Sequence, residues 1–202
     1  MASQRIATYS VGGSTRYGAV TDNGLVDLSA HFGREYPTLR EVIAAGALAK
    51  LGEYAARRSP DHALDAITWL PPIPAPEKII CIGVNYPDRN AEYKDGQDAP
   101  KFPSMFMRTP RSFVGHNAPL VRPKASSQLD YEGELVLVIG KAGRHIPEAA
   151  ALDHIAAITL CNEGTIRDWV RHAKFNVTQG KNFDSTGSLG PWLVSYAVES
   201  QI

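Results

Sequence analysis

Asp130-Tyr131-Glu132-Gly133-Glu134 opens an unbroken aliphatic run from Leu135 to Ile139 and carries the residues best suited to chemistry. At strand periodicity Glu132 and Glu134 point to one side, with Val136 and Val138. Two adjacent carboxylates repel each other, and each is costly to desolvate. If the strand entrance is buried, a cation, a shared proton or a basic partner must compensate them; if it opens to water, both are simply hydrated. Glu163, in Asn162-Glu163-Gly164, stands at the exit of a second apolar run, Ala156 to Cys161. Three carboxylates leaving strand ends form an all-oxygen donor set, which suits Mg²⁺, Mn²⁺ or Ca²⁺ and not zinc. Lys181, in the polar, glycine-containing loop Gln179 to Asp184, supplies an ammonium that near such a site would neutralise an enolate or a substrate carboxylate. The alternative for Lys181 is an ion pair within the fold.

Three further residues are candidates. A short helix over Asp88 to Tyr93 places Arg89 and Glu92 on one face, directly after a strand, where sites cluster. A surface salt bridge of little energetic weight is the other reading of that pair. His116 follows a glycine in a loop, with an imidazole able to exchange protons near neutral pH.

These residues need strands to hold them. Lys78 to Gly83 and the run after Glu134 both read as buried strands, the latter buried on both faces. Ser104 to Arg108, Ala156 to Cys161 and Gly190 to Val194 read as further strands, and Pro147 opens a helical turn rich in alanine. Thr165 is placed to cap a helix running through Trp169 to about His172. Upstream, Arg5 to Leu28 alternates as short strands around the turn Asp22-Asn23-Gly24. Thr38-Leu39-Arg40-Glu41 has capping-box spacing, and Gly46 divides the helix it starts from the stripe Leu48, Leu51, Tyr54. The stiff stretch Pro71 to Pro76 then marks a boundary. The expected organisation is a small β-plus-helix domain over 1–70, a Pro-rich linker over 71–77, and the chemistry-bearing domain over 78–202.

The totals exclude several classes. Among 202 residues, Lys plus Arg and Asp plus Glu both number 21, so no basic excess attracts nucleic acid or an acidic membrane. No apolar run reaches the length of a membrane span, and the first ten residues show no signal-peptide core. Cys81 and Cys161 lie in apolar runs without metal-like spacing and read as buried thiols. A cytoplasmic, globular protein is expected.

The chain resembles the fumarylacetoacetate hydrolase family. The resemblance runs from Lys78 to Val194 through Gly83-Val84-Asn85-Tyr86 with Glu92, Asp130-Tyr131-Glu132-Gly133-Glu134, Asn162-Glu163 with Arg167-Asp168, Gly180-Lys181-Asn182-Phe183-Asp184, and Gly190-Pro191-Trp192. It implies an α+β, predominantly β fold, a mixed β-sheet roll, of which 78–202 would be a C-terminally incomplete part. It implies metal ligation by Glu132 and Glu134, with Glu163 where the family's third acidic ligand is usually an aspartate, and a catalytic role for Lys181. It implies a homodimer and a dicarboxylic or diketo acid substrate, as in the 2-hydroxyhepta-2,4-diene-1,7-dioate isomerase and acylpyruvase-like members. Arg89 stands where much of the family has a histidine that, with the glutamate, activates water. A guanidinium stays protonated and is a poor base, so isomerisation or decarboxylation is favoured over hydrolysis, with Glu92 or His116 left to move protons. A catalytically silent binder of a metal or small acid is the competing expectation.

Overall fold

The computed structural model describes residues 4–86, 101–102, 104–173 and 177–196. Arg89, Glu92 and the helix expected around them lie outside the described residues.

The N-terminal strands form where alternation and turn chemistry dictate. β1 (Arg5–Val11), β2 (Ser14–Thr21) and β3 (Gly24–Asp27) make an antiparallel meander, the β2–β3 turn being Asp22-Asn23. Three short helices follow: α1 (Ser29–Phe32), α2 (Leu39–Ala44) and α3 (Leu48–Ala55). At α2 the Thr38 hydroxyl accepts from the Arg40 N–H at 3.2 Å, and the Glu41 carboxylate accepts from the Thr38 N–H at 3.0 Å, so the expected capping box is formed. Gly46, at φ +64°, lets the chain turn from α2 into α3. Leu39, Val42, Ile43, Leu48 and Leu51 face the sheet and bury against Ile6, Tyr17, Val26 and Leu28. Full burial of each such aliphatic side chain contributes about 1.5–3 kcal/mol.

After β4 (Thr68–Trp69) the chain enters the Pro-rich stretch, where the Pro72 carbonyl accepts from Thr8 Oγ1 at 2.6 Å. β5 (Ile80–Gly83) pairs with β6 (Ser104–Met107) in a separate two-stranded ladder. β7 (Phe113–Val114), β8 (Leu129–Asp130), β9 (Gly133–Ile139), β10 (Ile155–Asn162), β11 (Thr165–Ile166), the single turn α4 (Thr178–Lys181) and β12 (Gly187–Ser195) complete the described elements. The main sheet runs β3-β2-β1-β12-β10-β9, with β4 on β1 and β7 parallel to β12. Strands from before and after the Pro-rich stretch thus share one sheet through the β1–β12 pairing, and Ala157 and Leu193 join the core beneath the helices. No described helix is long and apolar enough to cross a membrane.

Four local expectations are corrected. β9 is not buried on both faces: it ends the sheet, and Leu135, Leu137 and Ile139 are 58%, 51% and 63% exposed. An apolar run specifies a strand but cannot specify what covers each face. The same holds for β5, whose Ile80 and Ile82 are exposed. Thr165 caps no helix; it pairs with Asp130 in the β11–β8 ladder, and only a 3-10 turn, Trp169–Arg171, forms, capped by the Asp168 side chain. The Gln179–Asp184 stretch is not all loop, since Lys181 closes the helical turn α4.

Candidate metal centre

Two strand pairs bring the carboxylates together. In the β9–β10 ladder Gly133 lies opposite Asn162 and Glu134 opposite Cys161. One step beyond, the Glu163 N–H donates to the Glu132 carbonyl at 2.7 Å, and the Glu132 N–H donates to Asn162 Oδ1 at 3.1 Å. The β8–β11 pairing continues on the other side of this junction. Gly164 permits it: a Cβ there would lie 1.9 Å from the Thr186 carbonyl oxygen. Glu132, Glu134 and Glu163 thereby present carboxylate oxygens within 4.8 Å of one another.

Lys181 reaches this cluster from α4. That turn packs where a Cβ on Gly180 would stand 2.7 Å from the Ile166 carbonyl oxygen and the Val170 nitrogen. Asn182 fastens its end to β6, accepting from the Thr109 N–H at 2.7 Å and donating to the Met107 carbonyl at 3.1 Å. The Lys181 ammonium lies 2.9 Å from Glu132 Oε2 and 3.0 Å from Glu163 Oε1, with the Phe106 ring centroid at 4.8 Å. It is therefore ion-paired directly to two of the three carboxylates.

Sequence reasoning assigns no part in the site to the residues around these four. Arg167 Nη1 meets Glu132 Oε1 at 2.7 Å and its Nε meets Asp130 at 2.8 Å. The Thr165 hydroxyl stands 3.0 Å from both Glu132 Oε1 and the Glu163 carbonyl and, with one proton, donates to one at a time. The Tyr86 hydroxyl donates to Glu134 Oε2 at 3.4 Å. Arg108, wholly buried, meets Glu163 Oε1 at 3.1 Å. The signal for Arg108 was in the chain: an arginine directly after the apolar run Met105-Phe106-Met107. His116 is not brought to the cluster; its exposed ring stands edge-on to Trp69, centroids 6.0 Å apart, beside a different group of buried side chains.

The electrostatics divide the carboxylates. Burial alone would raise the pKa of Glu132, but the Lys181 ammonium, Arg167 and the Thr165 hydroxyl outweigh it and hold that group below its ordinary value. Glu134 is pushed up by burial first, then by the charges of Glu132 and Glu163. Burial also raises Glu163, and Glu132 adds to this against the opposing pull of Lys181 and Arg108. Burial lifts the nearby Cys81 thiol to about 12.

The donor set fits a hard divalent ion. Opposite oxygens around Mg²⁺ stand about 4.2 Å apart and around Ca²⁺ about 4.6–5.2 Å, twice their usual metal–oxygen distances. Carboxylate oxygens that all lie within 4.8 Å of one another are close enough for one such ion to bridge them.

A sheet-dominated α+β fold with three carboxylates and a buried lysine at the mouth of an edge hairpin defines a class of protein with a hard-cation type of acidic site. The model of the C-terminal part of fumarylacetoacetate hydrolase matches residues 78–201, and the chain belongs to that family. It is 38% identical over 194 residues to the mitochondrial oxaloacetate tautomerase fahd2 of Xenopus laevis, covering 93% of this chain and 60% of the relative. It is 42% identical over 137 residues to the oxaloacetate tautomerase YisK of Bacillus subtilis, covering 66% and 44%. Among solved structures, a probable 2-hydroxyhepta-2,4-diene-1,7-dioate isomerase from Mycobacterium abscessus is similar at TM-score 0.75 and 27% identity, over 100% of this chain and 67% of that one. The fumarylacetoacetate hydrolase of Exiguobacterium antarcticum is similar at TM-score 0.73 and 29% identity, over 95% and 66%. The chain thus spans about half the length of the two curated relatives.

Proposed function

We propose that this chain carries the metal-binding part of a keto–enol tautomerase acting on a small 2-oxo dicarboxylic acid of the oxaloacetate class. The observation that carries the reading is the convergence of Glu132, Glu134 and Glu163 within 4.8 Å, with Lys181 ion-paired to two of them. The names of the two curated relatives supply the substrate class. Glu132, Glu134 and Glu163 would hold Mg²⁺, with Mn²⁺ or Ca²⁺ as alternatives. Such an ion, when bound, supplies Lewis acidity toward the keto and carboxylate oxygens of a 2-oxo acid.

Tautomerisation moves one proton between the carbon beside the keto group and the keto oxygen, and consumes no water. The chain therefore has to hold the substrate, stabilise charge on its oxygen, and carry one proton. Lys181 is fixed by its two ion pairs, so its charge is in place before the reaction and costs no reorganisation. Glu92 is assigned the proton transfer at carbon, and Arg89, whose guanidinium stays protonated, the part of a fixed cation and not of a base; both lie outside the described residues. His116 is assigned no step, since its ring stands edge-on to Trp69 and away from the carboxylates.

The test follows the enol absorbance of oxaloacetate in the ultraviolet with the chain, with and without Mg²⁺. The expected result is Mg²⁺-dependent decay of the enol signal that Glu134→Gln reduces at least tenfold, with no release of pyruvate. Pyruvate release would establish decarboxylation instead. A second reading, a silent binder, draws on one observation: Lys181, Arg167 and Thr165 engage both oxygens of Glu132, and such pairs compete with a metal. Mn²⁺ and oxalate binding without enol decay would establish that reading.

A further inference from the structure

Arg108 makes a set of contacts that a surface-type ion pair would not need. Its side chain is 0% exposed and its guanidinium stacks on Phe113, 4.3 Å from the ring centroid. Nε donates to Ser112 Oγ at 3.1 Å, Nη2 to Thr186 Oγ1 at 3.3 Å, and Nη1 to both Glu163 Oε1 at 3.1 Å and the Gly164 carbonyl at 3.2 Å. The two hydroxyls are themselves oriented. Ser112 spends its proton on the Thr109 carbonyl at 2.7 Å and Thr186 spends its own on the Phe183 carbonyl at 2.9 Å, so each turns a lone pair to the guanidinium. The plane of the guanidinium is thus fixed from three sides before it meets Glu163.

The consequence falls on one oxygen. Arg108 and Lys181 both bind Oε1 of Glu163, while Oε2 accepts no hydrogen bond from a described residue. A glutamate side chain has three rotatable bonds, and here its far end is pinned through a single oxygen. We propose that Arg108 is a positioning residue of the metal centre: it locks Oε1 of Glu163 and thereby presents Oε2 as a one-oxygen ligand beside Glu132 and Glu134. This rests on the metal reading above. Arg108 itself would touch neither metal nor substrate and acts only through Glu163. Groups behind a metal ligand that orient it commonly change metal affinity by about 10–100-fold when removed.

The experiment is a double-substitution cycle on the full chain, with Mn²⁺ alone as probe and affinity read by electron paramagnetic resonance of the free ion. Arg108→Met is expected to weaken Mn²⁺ binding by about 10–100-fold. Arg108→Lys, which keeps the charge but loses the fork, is expected to recover part of that loss. In a Glu163→Gln background, which retains two carboxylates and is titrated at higher Mn²⁺, Arg108→Met should change affinity less than twofold, because its only route to the metal is gone. An unchanged or tighter affinity in the Arg108→Met or Arg108→Lys chain overturns the proposal. So does an equal loss in the Glu163→Gln background, which would mark a merely structural role. Should Arg108→Met lose its near-ultraviolet circular dichroism, Arg108→Lys and Ser112→Ala carry the same cycle, with a severalfold loss that must vanish beside Glu163→Gln. A wild-type chain that binds no Mn²⁺ overturns the metal reading, and this inference with it, and is distinct from a chain that binds Mn²⁺ without regard to Arg108.

Discussion

Replacing Lys181 by methionine strands two carboxylates that the fold has taken largely out of water. The lysine side chain is 7% exposed, and Glu132 and Glu163 are 18% and 7% exposed. Removing one partner of a buried pair costs about 3–5 kcal/mol, because the charge left behind is uncompensated. Arg167 still contacts Glu132 and Arg108 still contacts Glu163. The expected loss is therefore smaller, about 2–3 kcal/mol, which for a chain of this length lowers Tm by roughly 5–10 °C. The variant's triad has lost a competing cation, so a divalent ion should bind it more tightly than it binds the wild type. An ion at 100 times its Kd that binds only the folded chain contributes about 2.7 kcal/mol, enough to restore most of the loss. The assay is thermal unfolding followed by circular dichroism, for both proteins, with EDTA and with millimolar Mg²⁺. Lys181→Met should be destabilised in EDTA and should regain more from Mg²⁺ than the wild type does. A variant within about 2 °C of wild type in EDTA, less than the shift expected for 1 kcal/mol, would refute the reasoning. Equal Mg²⁺ shifts in the two proteins would refute the claim that the lysine charge opposes a divalent ion at these carboxylates.

Three other perturbations test separate links. Burial and the neighbouring carboxylates raise the Glu134 pKa above its unfolded value of 4.5, so the folded chain holds this proton longer and the group's contribution falls as pH rises through that value. Glu134→Gln does not titrate, so in EDTA its Tm relative to wild type should climb between pH 4 and pH 7; a falling difference would contradict the assigned sign. Thr38→Ala removes the α2 cap and should cost about 1 kcal/mol by thermal unfolding while leaving Mn²⁺ affinity unchanged; a loss under about 0.3 kcal/mol would mean that the cap is not formed. Leu137→Thr, on the exposed side of β9, should change stability by less than about 0.5 kcal/mol, whereas a loss of 2 kcal/mol or more would show that this face is covered.

The sequence by itself determined those parts of the protein that depend on neighbours in the chain. The Asp22-Asn23 hairpin turn, the Thr38–Glu41 capping box and the break at Gly46 follow from residues within a few positions of one another, and all stand as read. The same is true of the strand that carries Glu134, because period-two parity is a local property of extended backbone. Motif order over Lys78 to Val194 was enough to point to the family. Tertiary structure alone decided the rest. Whether β9 had one covered face or two depended on its place at the end of the sheet, which no run of valine and leucine encodes. Thr165 looks like a helix cap because threonine caps helices, yet its pairing with Asp130 and its contact with Glu132 come from residues 35 and 33 positions away. Arg108 shows the same limit: its partner Glu163 is 55 residues distant, and a buried guanidinium is tolerable only because the fold brings Ser112, Gly164 and Thr186 to it. Charge neutralisation in a buried site is set by distances across the fold, and those distances are fixed by the packing of strands that the chain's local pattern leaves free to arrange.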